Sequence, residues 1–214
     1  MGDESPRIFL AIYTFDKKSY CDEEFFGKIK ALTYTNKEIH VVDNSTTGGY
    51  TTRLAELLDG TDSEISHLDI VVPPGCSKTH EHITQSANLL RDKFLGGGCD
   101  YFFTVESDVF LPSNAIEALL EKVGSYDIFG GLYYEGRYPK EWYEEEHSEI
   151  EEMSHVLSGC TLYSRRSIEQ VAFRYDPTFL VGYPDAFISH DIFGLGYKCA
   201  MYTGVKCEHK RGGW

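Results

Sequence analysis

Glu106 and Asp108 stand one residue apart at the end of an apolar, aromatic stretch, D-Y-F-F-T-V-E-S-D-V-F-L-P from Asp100 to Pro112. A run of that composition following Gly96-Gly97-Gly98 reads as a buried strand. Side chains alternate with period 2, so two carboxylates at its C-terminal end would share a face. That end is where ligands bind in an open α/β sheet. Two close carboxylates repel unless a cation lies between them. A hard divalent ion that also takes oxygens from a substrate phosphate is a common occupant. A solvated acidic turn would leave the same triplet, and the local sequence does not decide between them.

Other residues could join such a centre. Asp43 ends the strand-like run Ile39-His40-Val41-Val42 and opens a loop containing Gly48-Gly49. It could accept hydrogen bonds from a base or ribose, or simply close an Asx-turn. His209 could be an ordinary histidine, or could share a Mn²⁺ ion with carboxylates. Asp185 sits where a helix begins, so capping alone would explain it; as a general base it must reach an acceptor hydroxyl. His190-Asp191 is a competing acid/base pair expected on the helix surface. Tyr133, Tyr134, Trp142 and Tyr143 could form a sugar-stacking platform or pack a lid. Neither G-x-G-x-x-G nor G-x-x-x-x-G-K-[ST] occurs, which argues against both a dinucleotide fold and a P-loop.

The elements that would position these residues alternate. Strands are predicted at Arg7–Tyr13, Glu38–Val42, Leu68–Val72, Asp100–Glu106, Asp127–Tyr133, Ser154–Tyr163 and Tyr197–Val205. Helices are predicted at Tyr20–Leu32, Thr52–Leu58, His80–Phe94, Ala115–Val123, Ser167–Phe173 and Asp185–Leu195. The first strand, helix and strand form a β-α-β unit with a right-handed crossover. The pattern implies a mostly parallel sheet in a three-layer α/β domain. Tyr134–His155, acidic and aromatic, is expected to be a mobile connection or lid.

The 214 residues suit one domain, and 42% apolar with 14% aromatic content supplies a core. A formal charge of −14 argues against a broad nucleic-acid surface but not against a nucleotide held through a metal. Six cysteines without a C-x-x-C pair argue against zinc and read as free thiols. With no signal peptide and no apolar run near the ~18 residues of a membrane span, a cytoplasmic location is expected.

In their order these features resemble the GT-A glycosyltransferases, in particular the inverting family 2 type, over roughly Arg7 to His209. Ile39–Ser45 is similar to the family's strand ending V-D-D/N-x-S, whose acidic residue holds the nucleobase. Ser86-Ala87-Asn88 stands where the family often has A-R-N, and Glu106-Ser107-Asp108 takes the D-x-D position. Pro184-Asp185, Gly196 and His209 resemble the E-D…G…H tail. Glu replaces the first Asp of D-x-D, and Pro184 replaces the Glu of E-D.

The resemblance implies a single GT-A-like α/β/α domain with a Rossmann-like nucleotide-binding half. About 7–112 would form the donor half and about 113–214 the acceptor half. It implies Mn²⁺ or Mg²⁺ held by Glu106, Asp108 and His209, and a UDP-, GDP- or dTDP-sugar donor met by Asp43, Asn88, Glu106, Ser107 and Asp108; Thr14, from its place at the end of the first strand, is expected to line the nucleobase pocket with Asp43. Asp185 would be the catalytic base toward a glycan or other hydroxyl-bearing acceptor. Two other classes fit parts of the pattern: a metal-dependent nucleotidyltransferase, and a non-catalytic carbohydrate- or nucleotide-binding domain.

Overall fold

The computed structural model of the chain describes residues 5–46, 48–133, 138–144, 146–178 and 183–210. In chain order the elements are β1 (Ile8–Thr14), α1 (Asp22–Lys30), β2 (Lys37–Asp43), α2 (Gly49–Leu57), β3 (Ser63–His67), α3 (Lys78–Gly96), β4 (Tyr101–Glu106) and β5 (Val109–Phe110). There follow α4 (Ala115–Lys122), β6 (Ile128–Tyr133), β7 (Ile150–Glu152), β8 (Cys160–Ser164), α5 (Arg165–Ile168), α6 (Pro184–Gly194) and β9 (Cys199–His209). Short 3-10 turns occupy Asp16–Lys18 and Lys140–Tyr143. Among the described residues, no helix is long and apolar enough to cross a membrane.

The sheet order is β3-β2-β1-β4-β8-β6-β9-β5, with β7 pairing β9. β1 to β4 are mutually parallel, and β8 enters antiparallel between β4 and β6. Because β9 runs parallel to β6, six of the nine described strands point the same way. The parallel register aligns three strand ends in one row: Thr14 opposite Asp43, and Tyr13 opposite Glu106.

Alternation along β1 divides the core in two. Ile8, Leu10 and Ile12 face a cluster built on Phe25, Phe26 and Ile29 of α1, Leu54 of α2, and Ile116 and Leu119 of α4. Phe9, Ala11 and Tyr13 face the other, with Leu90 and Phe94 of α3 and Ile188 and Ile192 of α6. Helices thus cover both sheet faces, giving the three layers. Phe102 is fully buried, its ring centroid 5.5 Å from Phe94, 5.8 Å from Phe9, 6.1 Å from Tyr163 and 6.3 Å from Phe173. Phe102→Ala is expected to cost about 3–5 kcal/mol, read as a lower denaturant midpoint at unchanged slope.

Several expected elements fall elsewhere. The third strand is Ser63–His67, not Leu68–Val72. Its partner β2 ends at Asp43, opposite His67, so the ladder closes with Leu68 N–H donating to the Asp43 carbonyl at 2.9 Å. Val71 is left 71% exposed. The expected helix Ser167–Phe173 is only the turn α5, because Phe173 leaves the helical path to bury itself on Phe102 and Tyr163. The expected strand Ser154–Tyr163 shortens to β8, and the last strand runs on to His209. Within the expected mobile connection, Ile150–Glu152 forms β7 on β9. His147 Nδ1 lies 2.8 Å from the Thr203 hydroxyl, and Lys206 donates to the His147 carbonyl at 2.6 Å. Trp142 stacks on Tyr138 and His147, and the Tyr143 hydroxyl donates to the Tyr133 carbonyl at 3.5 Å. Tyr134 lies outside the described residues.

Candidate active site

At the C-terminal ends of β1, β2 and β4 the loops enclose a cavity of about 840 Å³, bordered by Tyr13, Thr14, Asn44, Ser45, Glu106, Ser107 and Asp185. That size suits a nucleotide-scale ligand. Lys17, Lys18 and Lys78 also line it, together with the acidic side chains of Asp16, Glu106 and Asp185. A second cavity of about 620 Å³ lies at the opposite end of β4, beside Tyr101. Its arginines are already engaged: Arg165 with the carbonyls of Phe94, Gly97 and Cys99, and Arg166 with Asp127.

β4 ends at Glu106, and Ser107-Asp108 form a turn, so strand alternation does not carry through to Asp108. The two carboxylates take different partners. The Glu106 carboxylate accepts from the Ser158 hydroxyl at 3.0 Å, and the Tyr13 hydroxyl lies 3.2 Å from the same Ser158 oxygen. Burial first, then the charges of Asp108 and Asp185, push the Glu106 carboxyl up to about 7. Gly159 makes this packing possible. A Cβ there would meet the Tyr133 ring at 2.7 Å, whereas glycine lets its N–H donate to the Tyr133 hydroxyl at 3.3 Å.

Asp108 is ion-paired with Lys18, and His209 Nε2 lies 3.5 Å from the same carboxylate oxygen, Oδ2. Backbone pairing sets the histidine's position: β5 opposes β9 with Val109 across from His209, and Lys210 N–H donates to the Asp108 carbonyl at 2.8 Å. Burial raises the Asp108 carboxyl, but His209 and Lys18 outweigh it and hold the group below the usual carboxylate range. The other oxygen, Oδ1, is buried with no hydrogen-bond partner among the described residues.

That geometry bears on whether a divalent ion fits. No group of three His, Cys, Asp or Glu side chains suited to a metal occurs among the described residues. A catalytic Mg²⁺-type site nevertheless needs only one or two protein carboxylates, with substrate phosphates and water completing it. A carboxylate with an unpartnered buried oxygen beside an imidazole is a donor set that suits Mn²⁺. The residues present therefore fit such an ion.

Asp185 lies in the first turn of α6 behind Pro184, where a carboxylate is electrostatically favoured. Its Oδ1 accepts from Ala186 N–H at 2.8 Å, and its Oδ2 lies 3.9 Å from His155 Nε2. Glu106, Ser107, Thr14 and Asp185 thus border one cavity. Thr14 is nonetheless 1% exposed, on the Ile8–Ile12 side of its strand. Asp43 is fully buried. Its Oδ1 accepts from Ser45 N–H at 2.9 Å, the Asx-turn arrangement, and its Oδ2 from the Thr51 hydroxyl at 2.7 Å. A ligand contact through Asp43 would have to share one of those oxygens. The Asn88 amide is committed to both backbone groups of Phe173, at 2.8 and 2.9 Å, away from the cavity lining. His190 is mostly exposed, and Asp191 pairs with Arg174 on the outside of α6.

Sequence reasoning missed Lys18, Ser158, His155 and His82. His82 Nδ1 lies 3.1 Å from the Asn44 side-chain oxygen, and its ring centroid is 6.4 Å from that of Phe15. Lone residues in loops or polar helix faces carry no periodic signal. Only the fold places them at the strand ends.

No protein-family model matches the chain. No curated protein matches it either. Solved structures do. A mannosyltransferase from Pyrobaculum calidifontis, in complex with GDP-Man and Mn²⁺, superposes with TM-score 0.71 at 16% identity, covering 98% of this chain and 59% of that one. TarS 1–349 of S. aureus, in complex with UDP-GlcNAc, gives 0.66 at 13% identity, covering 96% and 59%. GalNAc-T7 with UDP, GalNAc and Mn²⁺ gives 0.74 at 12% identity, covering 100% and 46%. The chain therefore spans about half to three-fifths of the length of these proteins. At such identities the likeness shows the fold, and that fold is the GT-A fold of the glycosyltransferases.

Proposed function

We propose that the protein is a metal-dependent glycosyltransferase that moves a sugar from a nucleoside-diphosphate sugar to an acceptor hydroxyl, with inversion at the anomeric carbon. The observation that carries this reading is the Asp108–His209 pair, with its unpartnered carboxylate oxygen, joined through Lys18 to the cavity that Lys18, Glu106 and Asp185 line.

Asp108 and His209 hold the ion, and Glu106 shapes the centre beside them. When bound, such an ion neutralises charge developing on the departing nucleoside diphosphate. Lys17, Lys18 and Lys78 draw the anionic donor into the cavity. Phe15 and His82 offer flat faces to the base, alongside Asn44 and Ser45; Thr14 and Asp43 fix the strand ends beneath them. Asp185 takes the acceptor hydroxyl proton as the oxygen attacks the face of the sugar opposite the leaving group. Ala186 N–H holds one oxygen of the Asp185 carboxylate, and His155 Nε2 stands 3.9 Å from the other, beyond hydrogen-bond reach. The acceptor is a glycan or another hydroxyl-bearing molecule.

The test is thermal melting against UDP, GDP, dTDP and their sugars, with and without Mn²⁺. One nucleoside diphosphate is expected to raise the midpoint in a Mn²⁺-dependent way, because a ligand that binds only the folded state stabilises it by mass action. No shift with any nucleotide would sink the donor site. Release of nucleoside diphosphate, rather than pyrophosphate, separates glycosyl from nucleotidyl transfer.

A further inference from the structure

We infer that Lys18 is an exchangeable internal cation: it holds Asp108 until donor and metal arrive together, then passes to the donor's diphosphate, making metal and nucleotide binding mutually dependent. The inference rests on the donor-site reading above and adds a role for a residue that reading uses only as general positive charge.

Lys18 lies in the 3-10 turn Asp16–Lys18, outside the regular elements. Its ammonium pairs with Asp108 Oδ2, the same oxygen that faces His209 Nε2 at 3.5 Å. The ammonium thus contacts the oxygen that faces the imidazole, while the carboxylate's other oxygen, Oδ1, is the one without a partner among the described residues. The side chains of Lys18 and Asp108 are only 20% and 6% exposed, so solvent screens the pair poorly. A metal entering alone would either displace this ammonium from Oδ2 or, held through the free oxygen Oδ1, set a second cation across the same carboxylate from it. A nucleoside diphosphate changes the balance, since Lys18 lines the same cavity and a phosphate oxygen offers its ammonium a new partner. Each ligand then removes part of the other's cost, and the coupling is reciprocal.

The acidic side chains that line the cavity with Lys18 are Asp185, whose Oδ1 accepts from Ala186 N–H, Glu106 and Asp16. Glu106 is engaged by Ser158, and Asp16 shares the lysine's own turn, held there by its N–H donating to the Ser45 hydroxyl at 2.8 Å. None of them replaces a diphosphate as the destination of the released ammonium.

Mn²⁺ binding to the full chain, followed by electron paramagnetic resonance of the free ion, tests this with and without saturating UDP or GDP. Wild type should bind Mn²⁺ weakly alone and about tenfold or more tightly with the nucleotide. Lys18→Met should bind Mn²⁺ alone about tenfold more tightly than wild type and lose most of the coupling. Lys18→Arg, which keeps the charge, should behave like wild type. Lys18→Gln gives the same comparison should the Met variant fail to fold by circular dichroism. Mn²⁺ affinity and coupling indifferent to Lys18 would overturn the exchange while leaving the donor site standing. No Mn²⁺ binding by any variant with any nucleotide would remove the metal site, and the proposed function with it.

Discussion

Asp185→Asn is expected to lower the turnover of sugar transfer by about 10²–10⁴-fold, the range that positioned general bases contribute. By transition-state arithmetic that is roughly 3–5 kcal/mol. Asparagine keeps the side-chain oxygen that accepts from Ala186 N–H, so the start of α6 should persist. Asparagine cannot serve as the base, however, because its amide does not accept a proton near neutral pH. Nucleotide-induced stabilisation should be unchanged, since no donor contact is assigned to this carboxylate. A merely structural role predicts the reverse pattern: a lower melting point and little specific loss of turnover. Equal transfer rates in wild type and variant would end the assignment.

Asp108→Asn should act at the earlier step, on binding. Metal-dependent stabilisation by nucleotide should disappear, and transfer should fall by about 10²–10³-fold, as when one preorganised electrostatic group is removed. The cause is local: one substitution neutralises the carboxylate shared by Lys18 and His209 and weakens a ligand that the buried oxygen would supply. Isothermal titration of nucleotide with and without Mn²⁺ measures the first effect, and product formation the second. A variant that still shows Mn²⁺-dependent nucleotide binding at wild-type strength would move the metal elsewhere.

The parallel half of the sheet is legible in sequence because β1, β2 and β4 are buried runs that stop abruptly at polar residues. Residue order alone therefore puts Asp43 and Glu106 at strand ends. Leu68–Val72 has the same composition as those strands, yet pairing decides: β2 has no residue left to oppose it. The antiparallel insertion of β8 is hidden for a similar reason. Its five residues look like any short apolar segment, and only contact with β4 and β6 fixes their place. At the site, Asp108 and His209 can be linked by their order in the chain. Their true relation follows from the β5–β9 pairing, a two-residue ladder too short for any periodicity. Asn88 shows the opposite failure: its position matches a familiar pattern, while its amide is tied to Phe173.

The late arrival of β8 has a consequence for how the chain is made. The four parallel strands are complete by Glu106, but the outer edge of β4 waits for Cys160–Ser164. At about 5–20 residues per second on a ribosome, that wait is roughly 3–10 s. Meanwhile a strand rich in phenylalanine presents unpaired backbone groups, a template for pairing with another nascent chain. Closing it requires a distant segment, and such non-local pairing is slow. The β4–β8 seam of the sheet is thus the place where the protein's biogenesis is most exposed to aggregation, and chaperone demand should concentrate there.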